Sequence, residues 1–430
     1  MSDEYFIVGG TVVSDGTRVP DATVHVQDGL IVDVSHSAPP ESARRIDATG
    51  LLVIPGVINS HAHGLTVGPL FSSAAPPLTR EVASANADRH LAAGVTTAVN
   101  ICGFAIEDDR IEHPMRIELG TTNLPHAREA AQIVDAAGLT DAERDRTAEA
   151  MIASGAVAIG EVGSGATLGG GVAAYRYVPN AVRESTGIEI EPATATAFID
   201  ALVGPLRTGQ PDDGRLRMAM ESHGVPVSTF HVIRDAVLSF AAAPVRVSLD
   251  SFEEACELSA RTGVPAIFHT AEPSVRELLR LAAGTDARIV AGHMNHSSIS
   301  PEEAVAAALE LRELGAVVDV SSLDIVHRQS MCTPEVADAL VSAGVVDTLT
   351  TDYAGGNWES MLALVQRWVS RGSLTVEQGI AMCTSKPADV FGFVDRGRIA
   401  PGKLADLVFV NPEDLEDVRS VIVGGNIVIG

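Results

Sequence analysis

Lysine is almost missing from this 430-residue chain, whose two lysines, Lys386 and Lys403, both lie near the C-terminus. Any mechanism that needs a lysine in the first three quarters of the sequence is therefore excluded. Aromatic residues are also scarce, at 4% against 46% hydrophobic residues in all. The core must be built mainly from Ala, Val, Leu and Ile, as parallel sheets covered by helices tend to be. Basic residues are outnumbered, 30 Lys and Arg against 56 Asp and Glu, for a formal charge of −26. With no Lys/Arg stripe to offset it, that charge repels nucleic acid and anionic membrane surfaces, so the expected partner is a small-molecule substrate. No apolar run is long enough to span a bilayer, and the opening MSDEYFIVGG carries acids where a secretory signal carries bases. A cytoplasmic location is expected. Cysteines are few and far apart: Cys102, Cys256, Cys332 and Cys383 show no CxxC spacing. They fit reduced packing residues better than a disulfide frame or a thiolate zinc site.

What is present has a clear rhythm. Residues 1–55 read as short strands, with Asp15-Gly16 and Asp28-Gly29 as hairpin turns, and residues 397–430 repeat that texture. The two ends can pair into one small β domain, because chain ends commonly lie close together. Between them, apolar strand candidates at 94–101, 156–162, 264–270, 287–293, 315–321 and 345–352 alternate with helical ones at 140–154, 251–262, 273–283, 301–314, 334–343 and 358–371. Alternating strand and helix predicts βαβ units closed into a (β/α)₈ barrel, a TIM barrel, over 56–396. A stretch at about 164–248 breaks the rhythm and reads as an insertion. It opens with GSGATLGGG, which lacks the lysine and the glycine order of a phosphate loop and reads as a flexible loop. Lid, substrate pocket and oligomer contact all remain open for this insertion.

Polar residues close several of the apolar strands. IPGVINSHAHG places His61 and His63 two apart, so both side chains share one face of a strand. Such a pair is either a metal site or two hydrogen-bonded histidines. Glu161 ends VAIGEV, His269 ends AIFH, His293 ends IVAGH and Asp352 ends TLTTD. Barrel active sites lie at those strand ends, and a buried carboxylate is costly unless a cation or donor meets it. The six residues together therefore predict a centre for divalent metal. His296, in GHMNHSS, either contacts substrate, supports a ligand or is a solvated loop residue. His126, His223 and His231 are weaker substrate-binding candidates, and His25, His36, His90 and His113 read as structural or exposed.

These motifs resemble the amidohydrolase superfamily, in which HxH follows strand 1, a carboxylated lysine or glutamate follows strand 4, histidines follow strands 5 and 6, and an aspartate follows strand 8. The likeness covers nearly the whole chain and includes the ending IAPGKLADLVFV. Within the superfamily it is strongest to the enamidases, cyclic enamide hydrolases, over 138–165, AIFHT at 266–270 and SKPADVFGF at 385–393. The insertion falls outside it. The resemblance implies a barrel with a small β-sandwich domain formed by both termini, and a binuclear centre ligated by His61, His63, Glu161, His269, His293 and Asp352. With no lysine before Lys386, Glu161 takes the bridging role. Two divalent ions are expected, zinc first, with iron or manganese as alternatives.

Asp352 is then the catalytic base, and the expected reaction is hydrolysis of a C–N bond in a cyclic amide, enamide or ureide by a homo-oligomeric enzyme. A ring deaminase releasing ammonia and an N-acyl amino acid or dipeptide hydrolase are the enzymatic alternatives. A non-catalytic scaffold is the alternative of another class, but it has no reason to keep convergent buried carboxylates.

Overall fold

The computed structural model describes residues 4–134, 138–168, 172–323, 332–353 and 358–430. Alternation of apolar and polar residues in the terminal segments builds one sheet from both ends of the chain. The N-terminal end supplies Glu4–Ser14, Thr17–Gln27, Leu30–Ser35, Arg45–Asp47 and Leu52–Pro55, and the C-terminal end supplies Leu407–Asn411, Asp414–Val423 and Asn426–Ile429. The seam is antiparallel, with Leu407 opposite Pro55 and Val410 opposite Leu52. Asp15-Gly16 and Asp28-Gly29 turn as the sequence predicts, with φ of 50° and 76° in the first and 50° and 80° in the second. Paired positive φ values give the tight turn whose twist matches the flanking strands. Backbone bonds from Ile31 N to Lys403 O and from Gly402 N to Ile31 O, both 2.8 Å, bring the far edge of the sheet back onto the C-terminal segment. The sandwich so formed encloses Tyr5, Ile7, Val24, Val26, Ile31, Val53, Leu407, Phe409 and Ile422.

Eight parallel strands form the barrel: Val57–Ala62, Val95–Asn100, Arg116–Thr121, Ala158–Val162, Ala266–His269, Ile289–Gly292, Val317–Ser321 and Thr348–Thr350. Each pairs with its sequence neighbour. The first and last strands are joined just beyond their ends, where Asp352 N donates to His61 O and His63 N donates to Tyr353 O, each at 2.9 Å. Closure thus occurs at the very residues that carry HxH and the final aspartate.

Three local expectations are corrected. The third strand was not among the apolar candidates, because RIELGT spends its charged positions on the junction with the β domain: Arg116 pairs with Asp406 and Glu118 with Arg396. The helix expected over 140–154 is two short ones, Asp141–Asp145 and Ala148–Ala153, since Thr140 and Thr147 each cap a fresh turn. The helix expected to start at 251 begins at Ala243 and continues an unbroken helical run from Phe230 through a π-type turn at Leu238–Ala242.

The insertion is a helical unit with its own apolar centre. Val178–Thr186, Pro192–Val203, Asp213–Ser222 and Phe230–Val237 surround Val178, Val182, Phe198, Leu202, Leu216, Met220, Phe230 and Ile233. That cluster is separate from the barrel core, which runs through Ile159, Phe252, Phe268, Leu349 and Trp368. Among the described residues no helix is long and apolar enough to cross a membrane.

Separate cores predict separable stability. Phe198→Ala, at a fully buried position, is expected to cost about 3–5 kcal/mol. Hydrogen exchange should show the loss confined to 172–242 while the barrel strands stay protected. Uniform loss of protection across the chain would contradict this division.

Candidate metal centre

The strand Val57–Ala62 carries His61, with His63 directly beyond its end, and the other barrel strands end where their apolar runs stop, so each polar residue emerges at the same mouth. The six predicted side chains meet there. His61 Nε2 lies 3.2 Å and His63 Nε2 3.0 Å from Asp352 Oδ1. Glu161 stands between two groups: its Oε1 lies 2.7 Å from His269 Nδ1 and 2.9 Å from His293 Nε2, while its Oε2 faces His63 Nε2 at 3.8 Å. Each carboxylate oxygen addresses a different set of imidazoles. Oε1 also lies 3.9 Å from His61 Nε2, so the carboxylate stands among all four imidazoles.

All six side chains are buried, none more than 5% exposed. Burial pushes the Asp352 carboxyl up, yet the imidazoles of His61 and His63 overcome it and hold the group well below the usual carboxylate range. Glu161 is likewise held down, against burial, by His269 and His293. Burial opposes protonation of His293, but its bond to Glu161 raises it to about 9. Two buried anions thus draw positive charge into the mouth, and divalent cations can supply it.

Several buried polar atoms of the six side chains are also left without a protein partner. His61 Nδ1 and Nε2, His63 Nδ1, His269 Nε2, His293 Nδ1 and Asp352 Oδ2 are buried without a hydrogen-bond partner. So many orphaned polar atoms at one place are expensive unless something else meets them. Two groups have ligand atoms all within 4.8 Å of one another: His61, His63 and Asp352, and His61, Glu161 and His293. Imidazole and carboxylate donors suit zinc, iron or manganese.

Residues behind the ligands hold them in place, and these were not predicted. Asp319, inside the seventh strand, accepts from Thr348 and Thr350 hydroxyls at 2.8 Å each and from the His293 backbone N–H at 3.2 Å. Asn59 accepts from Thr351 N at 3.2 Å and donates to Thr351 Oγ1 at 2.7 Å, fixing the chain just before Asp352. Such support matters because His293 and Asp352 have φ of 36° and 50°, a region that costs a non-glycine residue about 1–3 kcal/mol. Gly292 allows a close approach: a Cβ there would lie 3.0 Å from Phe268 O and 3.2 Å from the His61 ring, tighter than ordinary contact. The signal for Asp319 was present as the single charge within GAVVDVS.

His296 lies beside the centre, 2% exposed, its ring 5.7 Å from that of His269 and 5.9 Å from that of His293. The other three substrate-binding candidates do not join it. His126 opens the helix Pro125–Val134 and pairs with Glu254 at 2.7 Å. His223 ends the helix Asp213–Ser222, where its Nδ1 meets Ala219 O at 3.0 Å and its ring packs on Phe198. His231 is an exposed residue of the insertion, against Phe230. Loop and helix-end histidines carry no periodic signal, so sequence could not separate them from site residues. Cys102, expected to pack, is buried and accepts from Gly64 N at 3.2 Å, directly after His63.

Comparison with known proteins agrees with this architecture. The sequence pattern of the amidohydrolase family matches residues 52–428. An allantoinase of Rubrobacter xylanophilus is 28% identical over 435 residues, covering 95% of this chain and 85% of its own. A dihydroorotase of Bacillus cereus is 23% identical over 443 residues, covering 96% and 90%. Among solved structures, the L-hydantoinase (dihydropyrimidinase) of Arthrobacter aurescens superposes with a TM-score of 0.59 at 14% identity, covering 99% of this chain and 96% of its own, which is a likeness of fold. The chain belongs to the amidohydrolase family.

Removing support without touching a ligand tests the centre. Asp319→Ala should weaken divalent metal binding by about 10–100-fold in a chelator competition, through the freed His293 backbone. Unchanged affinity with a correctly folded barrel would rule out that role.

Proposed function

We propose that this amidohydrolase opens the ring of a cyclic amide, ureide or enamide by hydrolysing its C–N bond, at a binuclear centre held by His61, His63, Glu161, His269, His293 and Asp352. The observation that carries this reading is the split of Glu161, with one oxygen turned to His269 and His293 and the other to His63. Allantoinase and dihydroorotase among the relatives support a cyclic amide or ureide as substrate. The enamide is supported by the sequence likeness over 138–165 and 385–393. Zinc is the first choice of metal, with iron and manganese open to the same ligands.

Two divalent ions held by these six residues would supply Lewis acidity to the substrate carbonyl and lower the pKa of a bound water. The chain's own residues do the rest. Asp352 uses Oδ1 to face His61 and His63, which leaves Oδ2 without a partner and directed to no other protein group. Oδ2 takes the proton from the attacking water and returns it to the leaving nitrogen. The surrounding imidazoles keep the carboxylate ionised at neutral pH, so its proton site is open. Glu161, whose Oε1 is held by His269 and His293, orients and does not shuttle protons.

Two experiments test the reading. Purified protein is expected to carry about two equivalents of divalent metal per chain, read by elemental analysis, and Glu161→Ala to carry less. A value below one equivalent under metal-replete expression would favour a non-catalytic role. Asp352→Asn should lower kcat by about 10²–10⁴-fold, measured on whichever of allantoin, dihydroorotate, hydantoin, dihydrouracil and a cyclic enamide the wild type opens. Ammonia as product, in place of a ring-opened acid, would point to a deaminase.

A further inference from the structure

We infer that His296 is a substrate-contact residue, its Nε2–H donating a hydrogen bond to an uncharged carbonyl oxygen of the substrate next to the bond that is cleaved. This rests on the reading of the centre as a cyclic amide hydrolase. The argument itself begins from hydrogen bonds that fix where the proton sits.

Ser298 N donates to His296 Nδ1 at 3.1 Å, so Nδ1 is an acceptor. Ser298 Oγ also lies 2.8 Å from Nδ1, and Glu272 N donates to that same Oγ at 2.9 Å. With Nδ1 already accepting from Ser298 N, the serine hydroxyl can only be the donor in this contact. Two donors converge on Nδ1, which leaves no room for a proton there. The imidazole is therefore neutral, with its hydrogen on Nε2.

Nε2 is buried and has no partner. A protonated ring nitrogen has no lone pair to offer a metal. The His296 ring nevertheless packs beside those of His269 and His293. An unpaired N–H buried at that distance costs free energy in the empty site and recovers it when a substrate acceptor arrives. A neutral donor matches a neutral oxygen, such as the second ring carbonyl of a ureide. It rejects a ring that presents N–H or CH₂ at that place, because the donor then stays unpaired.

The test uses the metal-loaded protein and two variants. His296→Phe keeps a planar ring without a donor, and His296→Gln restores an N–H of similar reach. On the ureide that the wild type opens, His296→Phe is expected to lose about 10–100-fold in kcat/KM, and His296→Gln to recover most of it. Inhibition by 2-piperidone, which has no second carbonyl, should move by less than about threefold between wild type and His296→Phe, with metal content unchanged. Equal losses against both ring types, loss of metal, or failure of His296→Gln to recover would make His296 a structural residue and overturn the inference. Should the wild type open none of the rings, the functional reading falls instead. The assignment of His296 is then decided by nitrogen-15 histidine spectra of the metal-loaded protein, in which an Nδ1–H tautomer overturns it and an Nε2–H tautomer sustains it.

Discussion

Two carboxylates, Glu161 and Asp352, keep their charge at 3% and 5% exposure in the mouth of the barrel, and much of the molecule is arranged to make that tolerable. An uncompensated buried carboxylate costs several kcal/mol even after relaxation. Four imidazoles surround this pair, and those imidazoles are in turn left with unpartnered nitrogens. Protein groups alone do not complete the network. Divalent cations are of the right charge to close it, in an apolar barrel that excludes water from these carboxylates.

Barrel closure and site assembly are one event. The two hydrogen bonds that link the HxH segment to Asp352 and Tyr353 also join the first strand to the last. Glu161 and His269 come from strands four and five, which neighbour each other, so their 2.7 Å contact follows from parallel pairing. Asp319 then braces both sides: its carboxylate gathers two threonines of the eighth strand and the backbone of His293 after the sixth. A ligand that must sit at positive φ is held by its neighbours' hydrogen bonds, which is how strained backbone persists at working sites.

The insertion folds around its own core yet is continuous with the barrel through one long helical run from Phe230 to Thr262. Rigid continuity of that kind couples the position of the insertion to the helix preceding the fifth strand, which ends in His269. The insertion's histidines, His223 and His231, are engaged within it or exposed, so any contribution it makes to substrate choice comes through other residues.

Sequence by itself determined the strand ends and the donor types. A residue two positions along a strand must share a face, an apolar run must stop where a buried charge begins, and a chain with no lysine before Lys386 cannot bridge metals with one. Those are local constraints, and His61, His63, Glu161, His269, His293 and Asp352 were all legible from them. The third strand was not, because its charges are absorbed by partners, Asp406 and Arg396, that lie about 280–290 positions away. Only the tertiary structure decided which oxygen of Glu161 faces which histidine, that Asp319 braces His293, and that His296, unlike His126, His223 and His231, lies against the centre. Each of those facts depends on distances between strands that are far apart in sequence, and no periodicity encodes such distances.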